Sequence, residues 1–219
     1  MQRTISAMVG KGSVNHNSRK FRAENVDGTR THLNIDYCNE NIKTVYHELF
    51  DEALERYNAK QIRSDRKIKD YYEKIRSSKQ EKPFHEIILQ VGGKGNMNAD
   101  TENGELAKQI LDEYYQGFQE RNPQLRVFSA HLHMDEATPH LHIDFVPFTT
   151  GSKRGLDTRV SLKQALATQG FKGGSRGDTE WSQWVQSEKE QLAAVMERYG
   201  IEWEHKGTHE KHLSVLDYK

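Results

Sequence analysis

The chain has 219 residues, 34% hydrophobic and 29% charged, with 32 basic and 32 acidic side chains that cancel, enough for one large soluble domain with a modest core. No apolar run approaches the ~18 residues of a membrane span, and residues 1–6 start like a strand rather than a signal peptide. One cysteine, Cys38, excludes an internal disulfide and fits a reducing cytoplasm.

Residues 3–9 read as a first strand and 10–30 as a long polar loop carrying His16, Asn17 and Arg19. Residues 31–37 alternate, with Leu33, Ile35 and Tyr37 on one face and His32, Asn34 and Asp36 on the other, the period of a second strand. Val45, Leu49, Ala53 and Leu54 give 42–60 helical spacing, and 65–76 continue in helical style with a basic face. Residues 84–91 are an Ile- and Leu-rich strand. The Gly-rich turn after it lacks a phosphate-cradling motif and reads as a loop. Leu106, Ile110, Leu111 and Tyr114 predict a helix over 101–120. Strands at 125–133 and 140–146 follow, then a small basic loop over 149–155. Residues 162–169 and 179–199 read as helices. The second has Trp181, Trp184, Val185, Leu192 and Val195 as a packing stripe and Asp178 or Thr179 as its N-cap. Residues 209–219 look like the start of another helix. The pattern predicts an α+β fold, a mainly antiparallel five-stranded sheet flanked by helices. Residues 1–219 form a single domain, its core in 1–150 and a helical part in 151–219.

Although the charges cancel, they are segregated. Residues 1–35 hold six Lys/Arg against two acids, 61–82 eight against four, and 151–177 six against one. Such segregation gives a neutral chain a basic face and keeps nucleic acid open as a partner. Any one segment alone would also suit an ordinary solvated loop or helix.

Residues 131–147, HLHMDEATPHLHIDFVP, are the most informative stretch. On strands, Leu132, Leu141, Ile143 and Phe145 face a core, while His133, His140, His142 and Asp144 share the opposite face. The polar connection 134–139 folds the two strands together and brings three imidazoles to one place. A lone strand histidine is usually a surface or satisfied residue. Three on one face beside Glu136 suit a divalent metal with open coordination positions. His131 falls on the same face as a fourth ligand, a support for the ligands or an exposed residue, the last two being favoured. All-nitrogen ligation suits Mn, Co, Ni or Zn better than Mg.

The His140-Leu141-His142 pair with a third histidine on the neighbouring strand resembles the metal platform of the HUH endonuclease superfamily. The fuller pattern, His133-x-x-Glu136-x-x-Pro139-His140-x-His142, resembles the Mob/Pre (MobV-type) relaxases. Asn15-His16-Asn17-Ser18-Arg19 and Arg30-Thr31-His32-Leu33-Asn34 resemble the same family in the same order, so the likeness spans most of 1–150.

The resemblance implies a relaxase-like HUH fold in a cytoplasmic bacterial enzyme of plasmid or conjugative-transposon mobilisation. Such an enzyme nicks one strand at an origin of transfer, stays joined to the 5′ phosphate and later rejoins the ends. It implies His16 as nucleophile and a metal on His133, His140 and His142. Manganese is the family-like ion, with magnesium, cobalt, nickel and zinc left open. Glu136 then serves His16 or orients His133. Arg19 joins the catalytic set, and either it or Arg30 clamps a phosphate; Asn17 and Asn34 contact phosphate or base. Arg76, Lys82, Lys153 and Arg154 are remoter backbone contacts. Tyr37, Tyr46, Tyr71 and Tyr72 are rival nucleophiles, because tyrosine does this reaction elsewhere in the superfamily. The implied partners are single-stranded or hairpin origin DNA and a coupling protein, without stable membrane insertion. Family members continue into a helical, coiled-coil region, so the expectation is a monomer as this domain and a dimer in a longer chain. Two other readings stay open: a DNA-binding protein that does not cut and carries a structural metal, and a metal-dependent phosphodiesterase acting elsewhere.

Overall fold

Strand alternation in the middle of the chain builds a sheet that is covered on both faces. The structure, a computed structural model, describes residues 1–206, and the helix expected from 209 onward lies outside them. In chain order come β1 (Gln2–Arg3), β2 (Ile5–Val9), α1 (Val14–Asn17), β3 (Ile35–Asn39), α2 (Ile42–Ala59), α3 (Tyr71–Arg76) and β4 (His85–Val91). They are followed by α4 (Glu102–Gln116), α5 (Phe118–Arg121), β5 (Leu125–His133), β6 (His140–Thr149), β7 (Arg159–Val160), α6 (Leu162–Thr168), α7 (Glu180–Arg198) and β8 (Glu202–Trp203).

The main sheet runs β2-β4-β6-β5-β3, with each neighbouring pair antiparallel, and the two-residue β7 pairs with the end of β6. β1 and β8 form a separate parallel pair. One sheet face packs Ile87, Leu89, Leu132, Leu141, Ile143 and Phe145 against α4, α6 and α7. The opposite face carries the histidines and, further along the strands, Phe128 and Val146. There it is covered by Val45, Tyr46, Phe50 and Ala53 of α2, Tyr71 and Ile75 of α3, and Leu156 and Val160. The basic segment 61–82 and the beginning of the segment 151–177, up to Val160, therefore contribute to the layer on the face that carries the histidines, while α6 lies on the other face. No described helix is long and apolar enough to cross a membrane.

Three expectations need correction. The 10–30 loop contains α1. The strand expected over 31–37 begins only at Ile35, because Thr31–Leu33 form a 3₁₀ turn and the Asn34 side chain bonds outward to the β5–β6 connection. The helix expected over 65–76 is a 3₁₀ turn at Ser64–Arg66 and then α3, which starts late because Asp70 caps it by accepting from the Glu73 N–H. Thr179, not Asp178, caps α7, in a reciprocal capping box with Ser182.

A buried polar knot joins α7 to α4 and α5. Glu188, 3% exposed, accepts from the Tyr114 hydroxyl, from Arg121 Nη2 at 3.2 Å and from Asn122 Nδ2 at 2.9 Å, while Trp184 Nε1 donates to Asn122 Oδ1 at 2.7 Å. Trp184 is thus a packing residue. Glu188→Ala strands these donors without an acceptor. It should cost about 3 kcal/mol and lower the melting midpoint by roughly 6–12 °C in a chain of this size. Thermal unfolding followed by circular dichroism checks this, and an unchanged midpoint would contradict the role.

Candidate active site

The β5–β6 register sets His133 opposite His140 and His131 opposite His142. Directly paired residues on antiparallel strands share a face. The ring centroids of His133, His140 and His142 lie 4.7–5.2 Å apart. Each ring is tied at one nitrogen. His133 Nε2 meets the Asn17 carbonyl at 2.8 Å, His140 Nδ1 the Thr138 carbonyl at 2.8 Å, and His142 Nδ1 the Glu86 Oε1 at 2.6 Å. A carbonyl or carboxylate oxygen accepts, so the facing nitrogen carries the proton and the lone pair lies on the other one. The open atoms are His133 Nδ1, His140 Nε2 and His142 Nε2.

Two of these, His133 Nδ1 and His142 Nε2, are buried with no hydrogen-bond partner. Buried polar atoms are rarely left so, and a divalent cation bound by both lone pairs would satisfy them. Burial, reinforced by the neighbouring rings, holds His133 far below the usual imidazole range. Burial also takes His142 down to about 4, even against the Glu86 charge. Both rings are therefore in the neutral, ligating form. The donor set fits a borderline metal. Two overlapping ligand groups are present, His16 with His133 and His142, and His133 with Glu136 and His140, the candidate atoms of each within 4.8 Å of one another.

Beneath the platform lies a second tier. Glu86 is directly opposite Asp144 across β4 and β6. Its Oε1 also accepts from Asn17 Nδ2 at 2.8 Å, and its Oε2 accepts from the Gly12 N–H at 2.7 Å. A Cβ at Gly10 would lie 1.7 Å from that Oε2, so only glycine fits there. Asn17 Nδ2 and Ser129 Oγ donate to Asp144 at 3.0 and 2.9 Å. Burial, with the Glu86 charge second, pushes Asp144 up to about 7. Burial also works to raise Glu86, but the hydrogen bonds from His142, Gly12 and Asn17 together outweigh it and hold it below the usual carboxylate range.

The third tier is a flap, residues 18–34, stitched to the β5–β6 connection. Asp135 has a carboxylate with no solvent exposure. It accepts from Arg19 Nε at 2.9 Å, Arg19 Nη2 at 2.5 Å, Thr31 Oγ1 at 3.0 Å and Asn34 Nδ2 at 2.8 Å. Arg19 sits at φ 56°, the left-handed region that costs a non-glycine residue energy. Its other N–H groups reach Glu136 Oε1 at 2.9 Å, the His16 carbonyl at 3.1 Å and His16 Nε2 at 3.3 Å. Glu136 Oε2 accepts from Asn25 Nδ2 at 2.6 Å.

Glu136 Oε1 is also 3.5 Å from His16 Nε2, 3.7 Å from His140 Nε2 and 3.8 Å from His133 Nδ1. Burial works to raise Glu136, but His16, His140 and Arg19 outweigh it and hold the carboxyl down to about 2. Arg19 can only donate to His16 Nε2 and Glu136 can only accept from it. A proton on Nε2 therefore selects Glu136 and leaves the Nδ1 lone pair free. The His16 ring lies 6.0 Å from His133 and 6.2 Å from His142.

The structure thus brings together His16, Arg19, Glu136, His133, His140 and His142. Other expectations are corrected. Asn17 is 1% exposed with its amide nitrogen engaged by two carboxylates, and Asn34 uses both ends of its amide on Asp135 and the Met134 N–H. Both hold the site together rather than face a nucleic acid. Arg19 spends four of its five N–H groups on Asp135, Glu136 and the His16 carbonyl, so it cannot also clamp a phosphate through paired donors. Arg30 is paired with Asp100, and Arg76 with Glu73 at 2.7 Å. His131 is 1% exposed and bonds Asp36 at 2.6 Å, so it is not a surface residue. Lys82, Lys153 and Arg154 are exposed. Sequence reading missed Glu86, Asp135 and Asn25. A charged residue inside the Ile-Leu strand was the signal for Glu86.

Comparison with known proteins gives a consistent likeness. The family Mob_Pre, described as plasmid recombination enzyme, matches residues 12–219. A plasmid recombination enzyme type 3 of Staphylococcus aureus is 27% identical over 157 residues, 70% of this chain and 33% of that protein. A type 2 enzyme of Staphylococcus aureus (strain Mu50 / ATCC 700699) is 26% identical over 191 residues, 81% of this chain and 41% of that one. The chain spans well under half the length of these relatives. Structures of the MobM relaxase domain (MOBV; Mob_Pre), Mn-bound and carrying plasmid pMV158 oriT DNA, superpose with TM-scores of 0.58 and 0.56. They are 20% identical and cover 98% of this chain and 97–98% of theirs. The fold is that of a relaxase domain.

Glu86→Gln keeps the size but weakens the grip on His142. It should lower divalent-metal affinity about 10- to 100-fold, as read by Mn²⁺ titration in a calorimeter. Affinity equal to wild type would remove Glu86 from the support of the platform.

Proposed function

The chain belongs to the Mob_Pre family of plasmid recombination enzymes, and on that premise we propose that it is a relaxase that nicks one DNA strand at an origin of transfer and rejoins it. The observation that carries this reading is the set of open imidazole nitrogens facing a fourth imidazole, His16, backed by a carboxylate. His133, His140 and His142 would hold the metal. Manganese is the ion we favour, because the MobM relaxase domain structures are Mn-bound. A divalent ion there supplies positive charge to the nonbridging oxygens of a phosphodiester and polarises its phosphorus.

The chain's own residues supply the rest. The Nδ1 lone pair of His16 attacks phosphorus, the P–O3′ bond breaks, and the 3′ oxygen leaves, taking a proton from solvent to become a hydroxyl. The ring gains positive charge as the N–P bond forms. Its Nε2–H points at Glu136, which stays ionised and is fixed by Arg19 and Asn25, so the charge develops beside a prepositioned anion. The N–P linkage to the 5′ phosphate retains enough energy for a returning 3′ hydroxyl to reverse the step. Arg19 holds His16 and Glu136 in register. Lys82, Lys153 and Arg154 offer exposed cations to the DNA backbone, and the salt dependence of binding should report them.

Three of the four rival tyrosines are disfavoured as nucleophile. Tyr46 is 3% exposed and donates to the Pro83 carbonyl at 2.6 Å, Tyr71 accepts from the Val160 N–H at 3.2 Å, and Tyr37 donates to Asp112 at 2.7 Å. Burial raises the Tyr46 and Tyr37 hydroxyls well above the phenol range. We place the enzyme in the bacterial cytoplasm as one nicking domain, with a coupling protein and a dimerising extension as partners of the longer relatives' type.

With Mn²⁺ and a single-stranded oligonucleotide carrying the cognate nick site, His16→Ala should abolish the covalent adduct while binding stays within a few-fold. An adduct at wild-type yield would show that His16 is not the nucleophile. Tyr46→Phe should nick at near wild-type rate, and a dead enzyme would revive the tyrosine mechanism. His140→Ala should lose metal and nicking together, so full metal content by elemental analysis would exclude it as a ligand.

A further inference from the structure

An aromatic ring stands in solvent on the turn that follows His16 in the chain, with a basic residue on either side of it. The chain reverses as α1 ends. Ser18 N–H donates to the Val14 carbonyl, Arg19 takes its left-handed conformation, and Phe21 N–H donates to the Asn15 carbonyl at 2.9 Å. That last bond sets the Phe21 backbone against the residue preceding His16. The contacts of Arg19 with Asp135 and Glu136 lock the reversal, so the groups that position His16 also position Phe21.

The Phe21 side chain is nevertheless 60% exposed, belongs to neither core cluster and makes no ring contact among the described residues. Lys20 and Arg22 on either side are exposed, as is Lys11. Single exposed apolar residues are ordinary. Three features together set this one apart: a locked backbone, flanking cations, and a nucleophile anchored to the same turn. The tryptophans offer no comparable surface, since Trp184 is fully buried and Trp181 and Trp203 pack against the core.

We propose that Phe21 is a stacking platform for an unpaired DNA base next to the scissile phosphate, with Lys20 and Arg22 meeting the neighbouring phosphates. The inference rests on the relaxase reading and deepens it by naming a base-binding position. An exposed phenyl face accepts any base, because every base has a π-face, and the flanking cations track the backbone. Holding one base against a rigid turn reduces the freedom of the next phosphate and presents it to His16. The stack requires an unpaired base, so the site takes single strands in preference to duplex.

The test compares wild type, Phe21→Ala and Phe21→Trp by fluorescence anisotropy on two labelled probes. One is a short oligodeoxythymidylate, the other an abasic deoxyribose-phosphate strand of equal length. Phe21→Ala should weaken binding to the thymidylate strand roughly 5- to 100-fold, Phe21→Trp should restore it, and all three proteins should bind the abasic strand alike. Wild-type affinity of Phe21→Ala for the thymidylate strand overturns the proposal, and so does an equal loss on both strands. The tryptophan variant keeps the comparison decisive should the alanine variant fold poorly. If wild type binds neither strand and forms no adduct with its nick site, the relaxase reading itself falls. If wild type does both and Phe21→Ala matches it, only the stack falls.

Discussion

Three imidazoles can hold one cation only if each keeps its proton on the nitrogen pointing away from it. The groups packed around the three rings serve that condition. The Asn17 carbonyl, the Thr138 carbonyl and Glu86 each accept from one ring N–H, and the three remaining lone pairs are left within one small space. The register of β5 and β6 brings the rings together, yet register alone would leave them free to rotate and titrate. The bonds on the far nitrogens turn proximity into a ligand set.

The same contacts couple the platform to the segment that carries His16. Asn17 follows His16 in α1. Its backbone carbonyl orients His133, while its side chain bridges Glu86 and Asp144. Three residues after His16, Arg19 joins Asp135 and Glu136 to the flap. A buried carboxylate like Asp135 loses several kcal/mol of hydration, a cost offset only by a geometry that satisfies its oxygens, here a paired guanidinium, a hydroxyl and an amide. The left-handed backbone at Arg19 is held by the same anchor. His16, the proposed nucleophile, and the three imidazoles proposed to hold the metal are thus parts of one hydrogen-bonded body, although more than 100 residues separate them in the chain.

Much of this was legible in the sequence. Strict alternation in 140–146 revealed the histidine face and its apolar counterpart, because a half-polar strand repeats every two residues. The long helices α2, α4 and α7 were equally plain from their apolar stripes. The supporting tier was not. Glu86 looks like one more charge until the fold sets it opposite Asp144, and Asp135 like a turn residue until four donors converge on it. Asn17 and Asn34 carried the right residue type for DNA contact, but burial gives them partners inside the protein. Local period reads elements and faces; it cannot read which distant polar groups will meet. The misread second strand has the same origin, since the bonds from Asn34 to the β5–β6 connection override the alternation of 31–37.

The most direct test is a crystal structure of the protein grown with Mn²⁺, with the ion located by its anomalous scattering. The account predicts one strong peak at bonding distance from His133 Nδ1, His140 Nε2 and His142 Nε2, with His16 beside it and not bonded. A peak ligated by His16, or manganese bound elsewhere while these nitrogens keep no metal, would contradict it.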